Sequence, residues 1–481
     1  MTDTKRAPSY LQALIPLLAL ILMLGSSVYL FGEDSSYGPN QIALLVATAI
    51  ATLIGFHNHY RWEEIEKGIT EGISVALGAI LIILMVGSLI GTWLLAGIVP
   101  AMIYYGLEIL DPSWFYAATC IICAIVALAI GSSWTTAATL GVALIGVAMG
   151  MGMSVEITAG AIISGAYFGD KMSPLSDTTN LAPAVSGTEL FAHIRYMSWT
   201  AFPAIVLSVI LFTFLGFGAH DSANLSQLEV MQTELSQIFN ITPWVLLPLL
   251  VLFALAMLKK PALPSIFIGA IVGGIWALLF QSELIAELIS NEGNYWLGAI
   301  ETVWVALSLG VEINASSDDL SSLISGGGMG SMVNTVWLIL TAMTFGAVME
   351  TTGLLQKIIH GILKMVKSTG SLILSTVLTG FGTNVLTADQ YMAIVLPGRM
   401  FRKAYQEQGL DPRVLSRALE SSGTVTSALI PWNTCGAYMF SVLGVYPLAY
   451  APYAFFLLIV PILVVVYGYT NFKILRLEPT A

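Results

Sequence analysis

The stretch that decides the fold is GDKMSPLSDTTN at residues 169–180. It contains three charged residues, Asp170, Lys171 and Asp177, and five uncharged polar residues, Ser173, Ser176, Thr178, Thr179 and Asn180. Ionised groups are expensive to bury in lipid or among packed helices unless they are paired or solvated. If the rest of the chain is apolar, this stretch is therefore a predicted functional site.

The rest of the chain is indeed apolar, because 57% of its 481 residues are hydrophobic and only 10% are charged, with a mean hydropathy of +0.84. A soluble protein of this length needs more charge to cover its surface. Apolar runs at residues 11–32, 73–97, 199–216 and 332–349 are near or above the roughly 20 residues that cross a bilayer as a helix. The alternation typical of membrane strands is missing from the sequence. We therefore predict an all-α polytopic membrane protein with the lipid bilayer as its surroundings.

The sequence gives no indication of ATP-driven transport or of an enzyme. No lysine follows a glycine run in the manner of a phosphate-binding loop, including the run at residues 326–330, so ATP-driven transport is not indicated. We expect no enzymatic activity, no cofactor and no nucleic-acid partner.

The positions of lysine and arginine predict the topology. They fall at residues 5–6, 61–67, 195, 259–260, 357–367, 399–417 and 473–476, whereas the loops at 33–39, 98–112, 150–156, 219–242, 281–330 and 436–450 contain none. Basic loops are typically cytoplasmic. The pattern places both termini in the cytoplasm and predicts a multi-pass protein of the cytoplasmic, or inner, membrane, with Lys171 as the one exception.

The two halves of the chain resemble each other at an offset of about 250 to 260 residues, which is typical of secondary transporters. GSLIGTW at 87–93 matches GAVMETT at 346–352, GSSWTTA at 131–137 matches GTNVLTA at 382–388, and SPL at 173–175 matches SAL at 427–429. Matching loops differ in charge, since 98–112 has no basic residue and 356–367 has three. We predict two inverted-topology repeats at 1–218 and 243–481, joined by an outer connection with an amphipathic helix at 219–242. The second repeat includes a long outer connection at 281–330.

Two segments are predicted to be re-entrant hairpins. Residues 371–397 are too few for two full spans and have basic flanks, which favours a hairpin with its tip near residues 384–389. Its mirror image would be residues 112–149, with a turn at 132–136. Pro174 and Pro431 favour further helix breaks. The prediction is about ten full spans plus two hairpins, with the irregular backbone lining a buried or water-filled site.

Four polar clusters, at 132–136, 169–180, 384–389 and 420–434, are expected to meet near the middle of the membrane. Backbone carbonyls freed at helix breaks, together with side-chain oxygens, suit a hard cation such as Na⁺. The candidate ion-binding residues are Ser132, Ser133, Thr136, Asp170, Lys171, Ser173, Asp177, Thr178, Thr179, Asn180, Glu350, Asn384, Thr387, Asp389, Glu420, Asn433 and Thr434.

A carboxylate at such a site can hold a cation or a proton, and competition between the two is the simplest route to antiport. Asp170, Asp177 and Asp389 are the predicted ligands of transported Na⁺. Glu420 is a weaker candidate because the sequence places it nearer the cytoplasmic end. Any one of these carboxylates could instead serve only as an ion-pair partner. Lys171 either neutralises an aspartate or titrates itself, and Asp177 is its better partner if the chain turns at Pro174, since adjacent helical residues do not face each other.

Three long motifs carry a family resemblance. GDKMSPLSDTTNLAP at 169–183, ADQYMAIVLPGRMF at 388–401 and LIPWNTCGAYM at 429–439 resemble the NhaC family of sodium/proton antiporters, within the ion-transporter superfamily. The resemblance covers nearly the whole chain and implies secondary exchange of Na⁺ for H⁺. Some relatives resemble exchangers of organic acids such as malate and lactate. Ala428, Leu457 and Val460 depart from the residues typical of the family, which leaves the substrate open.

Three functions therefore remain: a Na⁺/H⁺ antiporter, a Na⁺- and H⁺-coupled organic acid exchanger, and a channel or non-transporting membrane protein. Mirrored halves with breaks in mid-membrane favour a carrier over a channel. The lack of an obvious arginine to clamp a carboxylate favours cations over organic acids. The sequence also leaves open whether two copies of the chain form a homodimer.

Overall fold

The computed structural model describes residues 5–219, 225–289, 294–364 and 366–477, and this part of the chain is all-α. Within these ranges the only β-type pairs are the isolated bridges of Val311 with Gly326 and of Leu410 with Arg476. The longer helices are Tyr10–Phe31, Pro39–His57, Trp62–Leu95, Phe115–Ile130, Ser133–Gly150, Val155–Met172, Leu190–Ala219, Ala262–Phe280, Val333–Thr351, Thr369–Thr387, Gln390–Glu407 and Phe455–Thr470. The shorter helices are Ile98–Ile109, Asp177–Ser186, Leu225–Ile238, Leu247–Met257, Ser282–Leu288, Tyr295–Ser308, Asp318–Ile324, Leu354–Leu363, Pro412–Leu419, Thr434–Leu443 and Pro447–Tyr450.

Eight of the described helices are long and apolar enough to cross a membrane. The number rises to ten if two bent pairs each count as one span, Glu229–Ile238 with Pro243–Met257 at 82° and Pro447–Tyr453 with Phe455–Thr470 at 60°. Large apolar side chains such as Leu11, Leu22 and Trp304 are about 70% exposed on the outer surface, as lipid contact requires. The prediction of an all-α polytopic membrane protein is confirmed.

Two helix breaks share one backbone conformation. Gly131, at φ +76°, ends the helix Phe115–Ile130, and Ser132 is the extended N-cap of the next helix. Ala388, at φ +55°, ends the helix Thr369–Thr387, and Asp389 is the extended N-cap of Gln390–Glu407. Both breaks therefore lie where the sequence predicts them, at 132–136 and 384–389.

A second pair of breaks follows. Val155–Met172 ends before Ser176, which is the N-cap of the helix Asp177–Ser186. In the other half a π-helical segment, Glu420–Thr424, and a 3₁₀ turn precede Asn433, the N-cap of Thr434–Leu443. Each half therefore contains a break at a left-handed residue followed by an N-cap, and then a second break that ends in an N-cap, in the same order along the chain. The inverted orientation and the boundaries at 218 and 243 stay predictions.

The helices on either side of Ala388 lie side by side. The Thr376 hydroxyl is 3.0 Å from the Tyr405 hydroxyl, although the two residues are on opposite sides of the break. The helices Thr369–Thr387 and Gln390–Glu407 thus form a helical hairpin whose tip is Ala388 and Asp389. It is longer than the predicted segment 371–397, and its first helix is long and apolar enough to span a membrane, so the re-entrant character stays a prediction.

The long connection at 281–330 contains helices of its own, Ser282–Leu288, Tyr295–Ser308 and Asp318–Ile324. The Ser88 hydroxyl donates to the carbonyl of Leu307 at 2.8 Å, which joins this region to the helix Trp62–Leu95. The predicted surface helix in the connection 219–242 is present at Leu225–Ile238.

Close backbone packing positions the site. A Cβ atom at Gly165 would lie 2.1 Å from the carbonyl oxygen of Cys120, and one at Gly169 would lie 2.3 Å from that of Ala124. Only glycine allows the helices Val155–Met172 and Phe115–Ile130 to approach so closely. This contact brings Asp170, the residue after Gly169, next to the break at Gly131.

Candidate ion-binding site

A cavity of about 700 Å³ lies where the helix breaks meet. All four polar clusters of the sequence contribute to its wall. The predicted site residues that line it are Ser132, Ser133, Asp170, Asp177, Thr178, Asp389 and Thr434. The structure therefore gathers carboxylates and hydroxyls from both halves of the chain around one space.

Asp170 binds the start of a helix from another part of the chain. Its Oδ2 accepts hydrogen bonds from the backbone N–H of Ser133 at 3.0 Å and from the Ser133 hydroxyl at 2.6 Å. Ser133 is the first residue of the helix Ser133–Gly150, whose N-terminus carries a partial positive charge. The Asp170 carboxylate is therefore held in one orientation beside the cavity.

Asp389 and Asp177 also lie at helix N-termini. Asp389 is 3% exposed, and its Oδ1 accepts from the backbone N–H of Met392 at 2.8 Å. Asp177 is the first residue of the helix Asp177–Ser186 and is exposed to the cavity. Among the described residues, no three His, Cys, Asp or Glu side chains are grouped closely enough to hold one metal ion. One Na⁺ would thus share at most two of these carboxylates and need hydroxyl or carbonyl oxygens as well.

Asn384 and Asn433 do not line the cavity. The Asn384 amide donates to the carbonyl of Gly423 at 2.6 Å and to the Thr426 hydroxyl at 3.1 Å, and the Asn433 amide donates to the Asn384 carbonyl at 3.1 Å. The backbone N–H of Thr434 donates to Ala388 at 2.9 Å. These bonds fix the hairpin tip at Ala388 and Asp389 to the break that precedes the helix Thr434–Leu443.

Four other predicted site residues stabilise the two breaks in the first half of the chain, Thr136 at Ser132 and the other three around Pro174. The hydroxyl of Thr136 donates to the carbonyl of Ser132 at 2.9 Å, and that of Thr179 donates to the carbonyl of Lys171 at 3.1 Å. The Asn180 amide donates to the carbonyl of Pro174 at 2.9 Å, and Ser173 accepts from the N–H of Leu175 at 3.2 Å. Their polar atoms form hydrogen bonds with backbone groups that these two breaks leave without a partner in the helix.

Glu350 and Thr387 lie in the wall of a second cavity of about 510 Å³. Arg399 and Gln356 also line it, and Val75 belongs to the walls of both cavities. The two cavities flank the same hairpin tip, but Glu350 does not reach the first one.

Lys171 is fully buried, and its predicted ion pair with Asp177 is wrong. Its Nζ donates to the Ser421 hydroxyl at 3.1 Å, and no described carboxylate oxygen lies within 4.0 Å of it. The helix Val155–Met172 continues through Lys171, so the lysine points away from the cavity that Asp170 lines.

Glu420 is fully buried rather than near an aqueous end. The Thr178 hydroxyl donates to its Oε1 at 3.1 Å, and the charge of Lys171 acts on the carboxylate. Glu420 is not part of the cavity wall, but the hydroxyl of a wall residue, Thr178, reaches it.

The sequence missed several wall residues. Ser176, Trp134, Gln390, Tyr391, Lys259 and Lys260 also line the cavity. Ser176, Trp134, Gln390 and Tyr391 lie inside or beside the predicted clusters, which is the signal that could have found them. The two lysines could be interpreted only as topology markers, because tertiary packing alone brings their loop to the cavity.

An aromatic stack joins two helices at this site. The rings of Trp134 and Tyr438 are stacked at 4.1 Å, and the Tyr438 hydroxyl donates to the carbonyl of Trp134 at 2.9 Å. Trp134 belongs to the helix Ser133–Gly150, and Tyr438 belongs to Thr434–Leu443.

Arg417 was also placed wrongly by the sequence. It was predicted in a cytoplasmic basic loop, yet it is fully buried with its guanidinium 4.3 Å from the centre of the Tyr196 ring. The helix Pro412–Leu419 carries it inward, because that helix packs into the core through Val414, Leu415 and Ala418. Arg417 does not line the cavity, so it offers no clamp for an anion there.

Comparison with known proteins identifies the chain. The model of the Na⁺/H⁺ antiporter family matches residues 165–472, which include the cavity residues from Asp170 to Thr434. The chain belongs to the Na⁺/H⁺ antiporter family. This antiporter is 38% identical to the malate-2H⁺/Na⁺-lactate antiporter of Bacillus subtilis, over 90% of each chain. It is 35% identical to the Na⁺/H⁺ antiporter NhaC of Alkalihalophilus pseudofirmus, over 89% of each chain.

Two further proteins match nearly the whole chain. The antiporter is 38% identical to the arginine/ornithine antiporter ArcD of Halobacterium salinarum, over 99% of this chain and 95% of that one. The solved structure of MtrF from Neisseria gonorrhoeae matches over 95% of both chains at 14% identity, with a TM-score of 0.37.

Proposed function

We propose that this antiporter exchanges Na⁺ for H⁺ across the cytoplasmic membrane by competition of the two cations for buried carboxylates. The observation that carries the proposal is the single cavity lined by Asp170, Asp177 and Asp389. Secondary transporters place their ions at breaks in membrane helices, and all three carboxylates lie at such breaks.

The neutral oxygens around the cavity suit Na⁺. Ser132, Ser133 and Thr434, which carry hydroxyl groups, line its wall. A hard cation prefers oxygen ligands, so one or two carboxylates with several hydroxyls would replace its hydration shell. A proton on the same carboxylate removes its negative charge and so excludes Na⁺. Exchange follows if only one of the two cations occupies the carboxylate at a time.

The cavity also supports an orientation. Lys259 and Lys260 line its wall, and the distribution of basic residues places their loop on the cytoplasmic side. We infer that this conformation receives ions from the cytoplasm, with both termini on that same side.

Organic acid exchange is the second candidate. The cavity of about 700 Å³ is much larger than one Na⁺ needs, and the ammonium groups of Lys259 and Lys260 offer charge partners for a carboxylate substrate. The Bacillus relative named as a malate-2H⁺/Na⁺-lactate antiporter supports this alternative.

Liposomes containing the purified protein, an internal pH dye and an imposed proton gradient test the proposal. Addition of Na⁺ alone should dissipate the gradient with saturable kinetics. A requirement for malate or lactate in addition to Na⁺ would establish the second candidate. Flux that rises linearly with Na⁺ concentration, without acceleration by Na⁺ on the opposite side, would indicate a channel.

Variants connect the flux to the cavity. Asp170→Asn should abolish exchange while the protein stays folded in detergent. Glu407→Gln is the matched control, because Glu407 is exposed on the hairpin helix, pairs with Lys403 at 3.7 Å and does not line the cavity. Exchange of wild-type rate in Asp170→Asn would remove Asp170 from the ion site.

A further inference from the structure

Glu420 is a buried carboxylate that the cation cavity does not include. It begins the π-helical segment Glu420–Thr424 and has no solvent exposure. Its Oε1 accepts from Thr178 at 3.1 Å, and the Thr424 hydroxyl of the same π-helical segment also interacts with the carboxylate. π-helical segments inside helices are frequent at functional sites, and a fully buried carboxylate that forms no ion pair within 4.0 Å among the described residues needs an explanation.

Two hydroxyls connect this carboxylate to the cavity. Ser176 and Thr178 both line the cavity, and their hydroxyl oxygens are 3.2 Å apart. Thr178 in turn donates to Glu420. Since a hydroxyl both donates and accepts, this chain can pass a proton between cavity water and Glu420 without opening the wall to Na⁺.

Charged groups surround Glu420 on several helices. Lys171 donates to Ser421, the neighbour of Glu420, and Arg417 lies three residues earlier on the same helical segment. Asp170 is close enough for its charge to act on Glu420, and His193 on the helix Leu190–Ala219 is close enough to feel that of Lys171. A buried carboxylate beside Lys171 can exist ionised, with the lysine as its counter-ion, or protonated.

We propose that Glu420 carries the exchanged proton at a place separate from the Na⁺ site. This inference rests on the proposed exchange of Na⁺ for H⁺ but moves the exchanged proton from the cavity carboxylates to Glu420, so that the two cations compete through charge and not for one carboxylate. Before Na⁺ arrives, Asp170 is ionised, and the Glu420 carboxyl is protonated. Na⁺ binding at Asp170 cancels the negative charge there and removes its repulsion on Glu420. Glu420 then releases its proton through Thr178 and Ser176 to cavity water and becomes a carboxylate, with the Lys171 ammonium as counter-charge.

Separate sites predict separable activities. Exchange of radioactive Na⁺ for unlabelled Na⁺ needs only the cavity carboxylates, whereas Na⁺-driven proton movement also needs Glu420. In liposomes, Glu420→Gln should keep Na⁺/Na⁺ exchange near the wild-type rate and lose Na⁺-driven proton movement. Glu420→Asp should recover part of the proton movement, because it restores a titratable group.

Thr178→Val adds a milder test of the same idea. Valine has a similar shape and lacks only the hydroxyl, so the rate of Na⁺-driven proton movement should fall relative to the rate of Na⁺/Na⁺ exchange measured in the same variant. Glu407→Gln should match the wild type in both assays, because this carboxylate is exposed and does not line the cavity.

Two results would overturn the inference. One is Na⁺-driven proton movement at the wild-type rate in Glu420→Gln. The other is loss of Na⁺/Na⁺ exchange in folded Glu420→Gln and Glu420→Asp alike, which would make Glu420 part of the cation site or of the fold. Absence of both activities in the wild-type protein would instead refute the proposed function itself.

Discussion

The Asp170 carboxylate accepts two hydrogen bonds from Ser133, a residue 37 positions earlier in the chain. The two bonds attach the last turn of one broken helix to the first turn of another. A candidate ion ligand is thus fixed by a backbone N–H that no side-chain substitution removes and by a hydroxyl that a substitution can remove.

Ser133→Ala should raise the Na⁺ concentration needed for half-maximal exchange. The change removes the 2.6 Å bond and leaves the 3.0 Å bond from the N–H, so Asp170 stays in place but is less firmly oriented. A hydrogen bond to a charged group contributes about 1.5–3 kcal/mol, which corresponds to roughly tenfold or more in apparent affinity. Thr139→Ala is the control, since Thr139 lies in the same helix and its hydroxyl donates to the backbone carbonyls of Thr135 and Thr136, one turn away. Equal effects of the two substitutions would speak against a role of Ser133 in the site.

Asp389→Asn should abolish exchange and leave the thermal stability in detergent almost unchanged. Asparagine replaces aspartate well as an N-cap, so the bond to the N–H of Met392 is kept while the charge is lost. Asp389→Ala should lose exchange and also about 1 kcal/mol of stability, because it removes the cap. An active Asp389→Asn variant would limit Asp389 to a capping role.

Gly165→Ala should destabilise the protein by about 1–3 kcal/mol, the usual cost of forcing an extra methyl group into a packed interface. The new Cβ would lie 2.1 Å from the carbonyl oxygen of Cys120. Gly382→Ala is a matched control in the middle of another helix, where a Cβ meets no atom within 4 Å. Because alanine restricts the unfolded chain, this control should be neutral or more stable by up to about 1 kcal/mol. Melting curves in detergent would distinguish the two.

Asp411 should contribute a pH-dependent part of the stability. Hydrogen bonds from the Arg413 side chain, at 2.8 Å from both Nε and Nη2, lower the pKa of Asp411 below its usual range. The stabilisation is therefore present above the ordinary aspartate pKa of about 3.9 and disappears as the pH falls through the lowered pKa.

Asp411→Asn isolates this contribution, because asparagine can still cap the helix through the N–H of Arg413. The variant should be less stable than the wild type at pH 7, and the difference should shrink below about pH 4. Asp411→Ala also loses the cap, so its deficit should persist at low pH. A constant difference between wild type and Asp411→Asn at every pH would contradict the assignment.

The sequence predicted the helix breaks well because local chemistry determines them. Pro174 prevents a regular helix, and Gly131 and Ser132 form a left-handed residue followed by an N-cap. The break at Ala388 is less obvious, since alanine rarely adopts a positive φ, but Asp389 supplies the N-cap signal there. The four polar clusters could be found in the same way, because their composition contrasts with an apolar chain.

Side-chain direction could not be predicted with equal success. The chain turns at Pro174, as the sequence predicts, but this turn does not bring Asp177 to Lys171, whose Nζ donates to Ser421 of the other half instead. Arg417 looked like a loop residue because positive charges are usually cytoplasmic, yet its stacking on Tyr196 allows it to be buried. These errors concern tertiary contacts between the halves, which local patterns do not encode.

The stacked rings of Trp134 and Tyr438 have a consequence for any change of access from one side of the membrane to the other. Together with the hydrogen bond between them, they hold the start of the helix Ser133–Gly150 and the helix Thr434–Leu443 as one rigid unit. A reorientation that keeps this unit intact carries hydroxyls from both halves of the chain with it. The hydroxyls around the ion would then move together, and the moving boundary would run between this unit and the helices Leu247–Met257 and Ala262–Phe280, which are joined by the loop of Lys259 and Lys260.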